Sequence, residues 1–249
     1  MARHGKLYRD AREKVDPERE YTPGEAIALI KSMPDHKFNE SVEVHVRTGL
    51  NVRHADEQLR GTLALPHGLG KDVTVAVFAQ GQQVRDAEAA GADFVGGQDL
   101  VDKVQEGWTG FDVAISTPEM MKSVGQLGRV LGPQGLMPNP KVGTVTDDVE
   151  KAVADSKSGK VEYRTDRQAI VHMAIGKASF DEDKLLENYQ AVIEEIVRAK
   201  PAAAKGKYVV SATLATTMGP GIRVDAGAKA DRDGATSSAD ETAPEPVTA

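Results

Sequence analysis

The hydrophobic period of this chain changes twice, and those two changes limit its possible folds more than any other feature. Over residues 41–47, Val42, Val44 and Val46 alternate with Ser41, Glu43, His45 and Arg47. That is the period of a strand with one packed face and one face turned to solvent or a ligand. After Pro66-His67-Gly68-Leu69-Gly70 the alternation stops. A nearly continuous apolar strand at 73–79 is followed by a helix at 82–90 closed by Gly91, a short strand at Phe94-Val95, a helix at 99–106, a strand at 111–116 and a helix starting at Pro118. Apolar strands alternating with helices predict a parallel sheet covered on both faces. Residues 125–146, rich in glycine and proline, predict a long ordered loop, and 147–157 a helix.

Beyond Gly159 the first style returns. Residues 161–164 and 170–175 read as hairpin-like strands, and 208–216 as a last strand. Between them, residues 181–198 form the strongest helix pattern, with Leu185, Tyr189, Val192, Ile193, Ile196 and Val197 on one face. Near the start, Thr22-Pro23-Gly24-Glu25 is a capping box with a first-turn proline, opening a helix through about Met33, and a short strand covers 61–65. Neither end segment carries enough elements to close a core alone. The expected fold class is therefore α/β with two domains: a split α+β domain, an antiparallel sheet with helices, from residues 1–67 plus 159–224, and an inserted Rossmann-like three-layer α/β domain at 68–158. The acidic tail at 225–249 has no periodicity and a composition that predicts disorder.

Charge alone argues against a nucleic-acid partner, since the net charge is -7 and phosphate affinity comes largely from Lys and Arg. Its distribution alters that inference. Residues 68–158 hold 8 Lys/Arg against 13 Asp/Glu and residues 225–249 hold 2 against 6, so of the totals of 31 and 38 the rest of the chain keeps 21 against 19. Only the two end segments are net positive, and Arg3, Lys6, Arg9, Arg12 and Lys14 concentrate that charge at the start.

The absence of cysteine excludes disulfides and thiolate chemistry and fits a cytoplasmic location. The longest apolar run, Val75 to Ala79, is far below the roughly 20 residues that span a bilayer, so no membrane association is expected. The basic start without a following apolar stretch argues against a secretory signal. The six histidines have no metal-ligand spacing, and neither a Walker loop nor a nucleophile elbow occurs. The reading is therefore of a non-enzyme without cofactor or metal. The stretch from Gly128 to Lys141 brings backbone that could approach a phosphate, with Arg129 and Lys141 to neutralise it; the other reading is a rigid loop whose prolines and glycines only fix its path.

That stretch, Gly128-Arg129-Val130-Leu131-Gly132-Pro133-Gln134-Gly135-Leu136-Met137-Pro138-Asn139-Pro140-Lys141, running on to Thr146, closely resembles the signature of the L-one family of large-subunit ribosomal proteins. The resemblance takes in His4-Gly5-Lys6, the segment 37–46, Arg60-Gly61-Thr62, Leu65 to Lys71, Gly91-Ala92-Asp93, Gly176 to Phe180 and Thr216 to Pro220, in order over residues 1 to about 224. Gln134 stands where many relatives carry Arg, and the acidic tail is not a common family feature.

The resemblance implies an RNA-binding, non-enzymatic protein of the large ribosomal subunit, on the mobile stalk beside the tRNA exit site, that assists release of deacylated tRNA. It also implies a translational repressor of its own operon mRNA and a monomer outside the ribosome. The implied RNA-binding residues are His4, Lys6, Lys37, Phe38, Ser41, Glu43, Arg53, Lys177, Ser211, Thr216, Thr217, Met218 and Gly219, with Arg129 and Lys141 as secondary loop candidates. By residue type alone Phe38 would as readily be core, and Ser41 and Glu43 an ordinary solvated strand face.

Overall fold

A computed structural model describes residues 5–33, 37–202, 204, 206–225 and 227. Most of the tail expected to be disordered, and His4, lie outside them. The elements in chain order are α1 (Lys6–Glu13), α2 (Pro23–Lys31), β1 (Ser41–Thr48), β2 (Arg60–Ala64), β3 (Val75–Phe78), α3 (Gln82–Ala89), β4 (Phe94–Gly96), α4 (Gln98–Gln105) and β5 (Val113–Ser116). There follow α5 (Met121–Val124), α6 (Gly128–Gln134), α7 (Val149–Lys157), β6 (Lys160–Arg164), β7 (Ile170–Lys177), α8 (Glu182–Arg198), β8 (Val209–Thr216) and β9 (Ile222–Val224). The chain is thus a mixed α/β protein with both antiparallel and parallel sheets.

The valine alternation organises the first sheet. Its strand order is β7-β1-β8-β9, antiparallel throughout, so β1 sits between strands from more than a hundred residues later. Val42, Val44 and Val46 are fully buried, each contributing about 1.5 kcal/mol by leaving water. They join Ala26, Ile27 and Ile30 of α2 and Leu185, Tyr189, Val192 and Ile196 of α8 in one apolar cluster. The capping box that opens α2 is present, with Thr22 accepting from the Glu25 N–H and Glu25 accepting from the Thr22 N–H.

The continuous apolar run likewise behaves as its pattern requires. β3 pairs in parallel with β4 and β5, giving the order β4-β3-β5, and both faces of β3 are buried. Ala76 and Phe78 pack with Leu100, Val104 and Leu131 on one face, while Val75, Val77 and Ala79 pack with Ala87, Val149 and Val153 on the other. None of the residues from the antiparallel sheet enters either cluster.

Three expectations are corrected. Residues 125–134 are not loop: a single 3-10 turn at Gly125–Leu127 leads into α6, because Val124, Leu127 and Leu131 recur at helical spacing and bury against β3 and its neighbours. That packing outweighs the low helix propensity of Gly132 and Pro133, and Gly135 ends the helix in the left-handed conformation at φ 75°. Residues 161–175 do not form a hairpin. β6 pairs with β2 in a separate two-stranded ribbon, β7 pairs with β1, and only a single bridge, Thr165 to Val171, joins them. On α8, Val197 is 53% exposed, and Leu186 and Asn188 are buried instead.

One buried side chain ties the first sheet to the segment where the period changes. Asn188 of α8, fully buried, donates to the carbonyls of Ile175 (2.7 Å) and Gly68 (3.1 Å) and accepts from the His67 N–H (3.1 Å). Those bonds hold the Pro66–Gly70 turn against α8 and β7.

Candidate nucleic-acid interface

At one end of β1 three segments converge: residues 37–41 leading into the strand, residues 177–180 after β7, and residues 216–219 after β8. The register sets this up, pairing Ser41 with Lys177 and Val42 with Thr216. The Thr217 hydroxyl then accepts from the Ser41 N–H (3.1 Å) while the Thr217 N–H donates to the Ser41 carbonyl (3.1 Å). Lys177 donates to the Ser41 hydroxyl at 2.9 Å.

Glu40 completes the junction. It falls in phase with the buried valines, is 7% exposed, and its carboxylate accepts from the Met218 N–H (3.1 Å) while its carbonyl accepts from the Ala178 N–H (2.8 Å). Asn39 exchanges hydrogen bonds with Ser179, and Lys31 of α2 donates to the carbonyls of Ala178 (2.9 Å) and Phe180. Glu40, Asn39, Lys31 and Ser179 were not among the sequence candidates. Glu40 carried a readable signal: a carboxylate two residues before Val42 on the inward phase must find donors.

Fixed in this way, the junction leaves Phe38 and Met218 each 51% exposed, and Leu7 of α1 43% exposed. They flank a groove of about 530 Å³ whose wall also includes Lys37, Thr216 and Gly219. Phe38 is therefore surface, not core. A Cβ on residue 219 would fall on the Thr216 hydroxyl, so any larger residue there must displace that side chain or the turn. Lys6, Arg9 and Arg12 on α1, and Lys37, form no ion pair with another described residue. Aromatic, thioether and cationic groups on a rigid backbone suit stacking against bases and neutralising phosphates.

The remaining candidates lie elsewhere. Glu43 sits one step along the outward face of β1. Ser211 pairs with Arg47, which puts it about 20 Å along the strand from Ser41 at the usual rise, and Arg53 follows in the turn beyond Thr48. Arg129 belongs to α6 and Lys141 to a short 3-10 turn at Pro140–Val142, where the Asn139 side chain accepts from the Lys141 N–H. A smaller groove of about 410 Å³ separates Gly132–Gly135 and Asn139 from Arg60, Glu162 and Arg164 of the β2–β6 ribbon.

The outward face of the sheet also carries a histidine pair, His45 of β1 and His172 of β7. The Nδ1 atoms of His45 and His172 are 2.9 Å apart. Burial pushes the His45 pKa down, the neighbouring His172 adds to that, and Glu43 opposes it. For Asp166, beside His172, burial pushes up, but the N–H groups of Ile170 and Gln168 and the His172 ring outweigh it and keep the carboxyl below its ordinary value.

Among the described residues no group of three or more His, Asp or Glu side chains is arranged to hold a metal, and no helix is long and apolar enough to cross a membrane. A sequence model of a family described as the ribosomal protein L1p/L10e family matches residues 29–220.

Proposed function

The chain belongs to the L1p/L10e family of ribosomal proteins and so is a structural, non-enzymatic, rRNA-binding component of the cytoplasmic large ribosomal subunit; from that premise we propose that it holds rRNA in the groove between α1 and the 216–219 turn. The observation that carries this is the interlock of Ser41 and Glu40 with Thr217 and Met218, which joins two distant segments and leaves Phe38, Met218 and Lys37 exposed. The residues that act are Lys6, Lys37, Phe38, Ser41, Glu43, Lys177, Thr216, Thr217, Met218 and Gly219, with Arg53, Ser211 and, from the N-terminus, His4 as outlying contacts. Binding of purified large-subunit rRNA to the wild type and to Met218→Asp is the test: at least tenfold weaker binding with an unchanged melting temperature supports the site, and unchanged affinity refutes it.

We further propose that the protein comprises two domains, residues 1–67 with 159–224 and residues 68–158, since the apolar clusters divide along those lines. On that reading the first domain anchors the protein to the mobile stalk beside the tRNA exit site, where the protein assists release of deacylated tRNA, with Arg129 and Lys141 on the second domain as secondary RNA contacts. The same groove would serve in translational repression, by binding an own-operon mRNA that imitates the rRNA site, with the free protein acting as a monomer. Competition between rRNA and that mRNA for one site, lost in Met218→Asp, tests the repressor role.

A further inference from the structure

β9 decides where the chain leaves the antiparallel sheet. It pairs with β8 so that Ile222 lies opposite Leu214 and Val224 opposite Ala212, which carries the chain away from the groove end of the sheet. The Tyr21 N–H donates to the Arg223 carbonyl (3.0 Å) and the Asp225 N–H to the Tyr21 carbonyl (3.0 Å), fixing the exit beside the start of α2. Asp225 is thus about five strand positions back from Thr216, or roughly 17 Å from the groove at the usual rise.

The sequence that follows complements the groove in charge. From Asp233 onward it carries Asp240, Glu241 and Glu245 as well, and no Lys or Arg. At the groove, Lys6, Arg9 and Arg12 of α1 and Lys37 are exposed and form no ion pair with another described residue. Against them α1 sets only Asp10 and Glu13, while Glu40 is buried and accepts from the Met218 N–H. The groove therefore has cations to spare, and the 233–249 segment has carboxylates with no cation of its own.

Reach is not a constraint. The positions from Asp225 to Asp233 span up to roughly 27 Å of chain at about 3.4 Å each, more than the gap requires. A tethered segment that can bridge its site meets it at an effective concentration in roughly the millimolar range, so contacts too weak to hold a separate peptide suffice.

We infer that in the RNA-free protein the 233–249 segment docks its carboxylates on Lys6, Arg9, Arg12 and Lys37, and that RNA must displace it to enter the groove. The docking stands on charge and reach, and its effect on RNA rests on the RNA reading of the groove. An RNA held by phosphate contacts alone competes for the same cations and loses occupancy. An rRNA that also stacks on Phe38 and Met218 has contacts the segment does not contest, and keeps its place.

Two experiments on the full chain test this. Carbodiimide joins carboxylates only to amines in direct contact, so cross-linking without RNA followed by peptide mass spectrometry should link Asp233, Asp240, Glu241 or Glu245 to Lys6 or Lys37, and rRNA should suppress those links. Links from the segment only to Lys71, Lys122 or Lys151, or none at all, overturn the docking. So do links between chains in a mixture of isotopically light and heavy protein, which would put a second copy's segment in the groove. Links that persist in saturating rRNA overturn the competition.

The second experiment is binding of purified large-subunit rRNA at about 50 mM salt. A variant carrying Asp233→Asn, Asp240→Asn, Glu241→Gln and Glu245→Gln should bind about three- to tenfold more tightly than the wild type, by a margin that shrinks as salt rises. Because any loss of negative charge favours RNA, the control makes the same change in charge elsewhere, through Glu88→Gln, Glu106→Gln, Glu119→Gln and Glu150→Gln at exposed positions. An equal gain in the control overturns the inference. Met218→Asp separates it from its premise: if that variant binds rRNA as the wild type does, the groove reading fails. If it loses RNA while the neutralised segment gains nothing beyond the control, only the competition fails.

Discussion

The hydroxyl of Thr217 and the backbone N–H of Ser41 lie 3.1 Å apart, 176 positions distant in the chain, and this contact closes the end of the antiparallel sheet. Thr217 is therefore structural as well as a candidate for RNA contact. Thr217→Val removes the acceptor and should cost about 1 kcal/mol of stability, whereas Thr217→Ser should cost little. Urea unfolding of both, alongside rRNA binding, distinguishes the two contributions: binding restored in the serine variant but not the valine one assigns the role to the hydroxyl.

Glu40 gives a second expectation. Glu40→Ala leaves the Met218 N–H without its acceptor and should weaken rRNA binding several-fold through the loosened turn, with about 1–3 kcal/mol of destabilisation. Glu40→Gln, which still accepts, should retain most of both. Equal loss in the two variants would mean that charge rather than turn geometry matters here.

Gly219→Ala tests the turn by crowding. The added methyl meets the Thr216 hydroxyl, so the Thr216 side chain or the turn must shift, and rRNA affinity should fall by about tenfold while the melting temperature drops by only a few degrees. Wild-type affinity would show that the path of this turn is immaterial to binding.

Asn188 should be among the most sensitive positions for stability. Asn188→Leu leaves the buried Ile175 carbonyl without this partner, a loss of about 1–3 kcal/mol, and removes the bonds to the less buried His67 N–H and Gly68 carbonyl as well. A chemical denaturation shift below 1 kcal/mol would refute this account.

Acid should destabilise the parallel-sheet region through Asp112 and Asp93. The Lys71 ammonium holds the Asp112 carboxyl below its ordinary value, with Thr74 adding to it, and the Val75 N–H does the same for Asp93 beside Lys157. A carboxyl whose pKa is lowered by folding contributes its full stabilisation above the unfolded value, near 3.8, and loses it as pH falls through the lower folded one. Thermal melts should therefore show a loss of stability below about pH 4 that is smaller in Asp112→Asn, added to the loss that His45, its pKa lowered by burial from 6.5, contributes as pH falls below that value.

What the sequence displayed was period. The valine alternation at 42–46 and the apolar run at 73–79 identified their strands and buried faces, and Thr22 with Glu25 identified the start of α2. Each of those signals is local, set by which neighbours share a face. Local pattern misread residues 125–134, where glycine and proline suggested loop; the 124, 127, 131 spacing marked a helical face, and only contact with β3 and its neighbours gave it something to bury against.

Pairing was decided by the tertiary structure alone. Nothing in residues 160–177 says that β6 joins β2 and β7 joins β1, because register depends on distant partners. The same holds for the interface. Phe38, Ser41 and Met218 could be named from resemblance, but the long-range bonds from Glu40 and Thr217 that hold them together, and the meeting of His45 with His172, exist only once strands more than a hundred residues apart lie side by side.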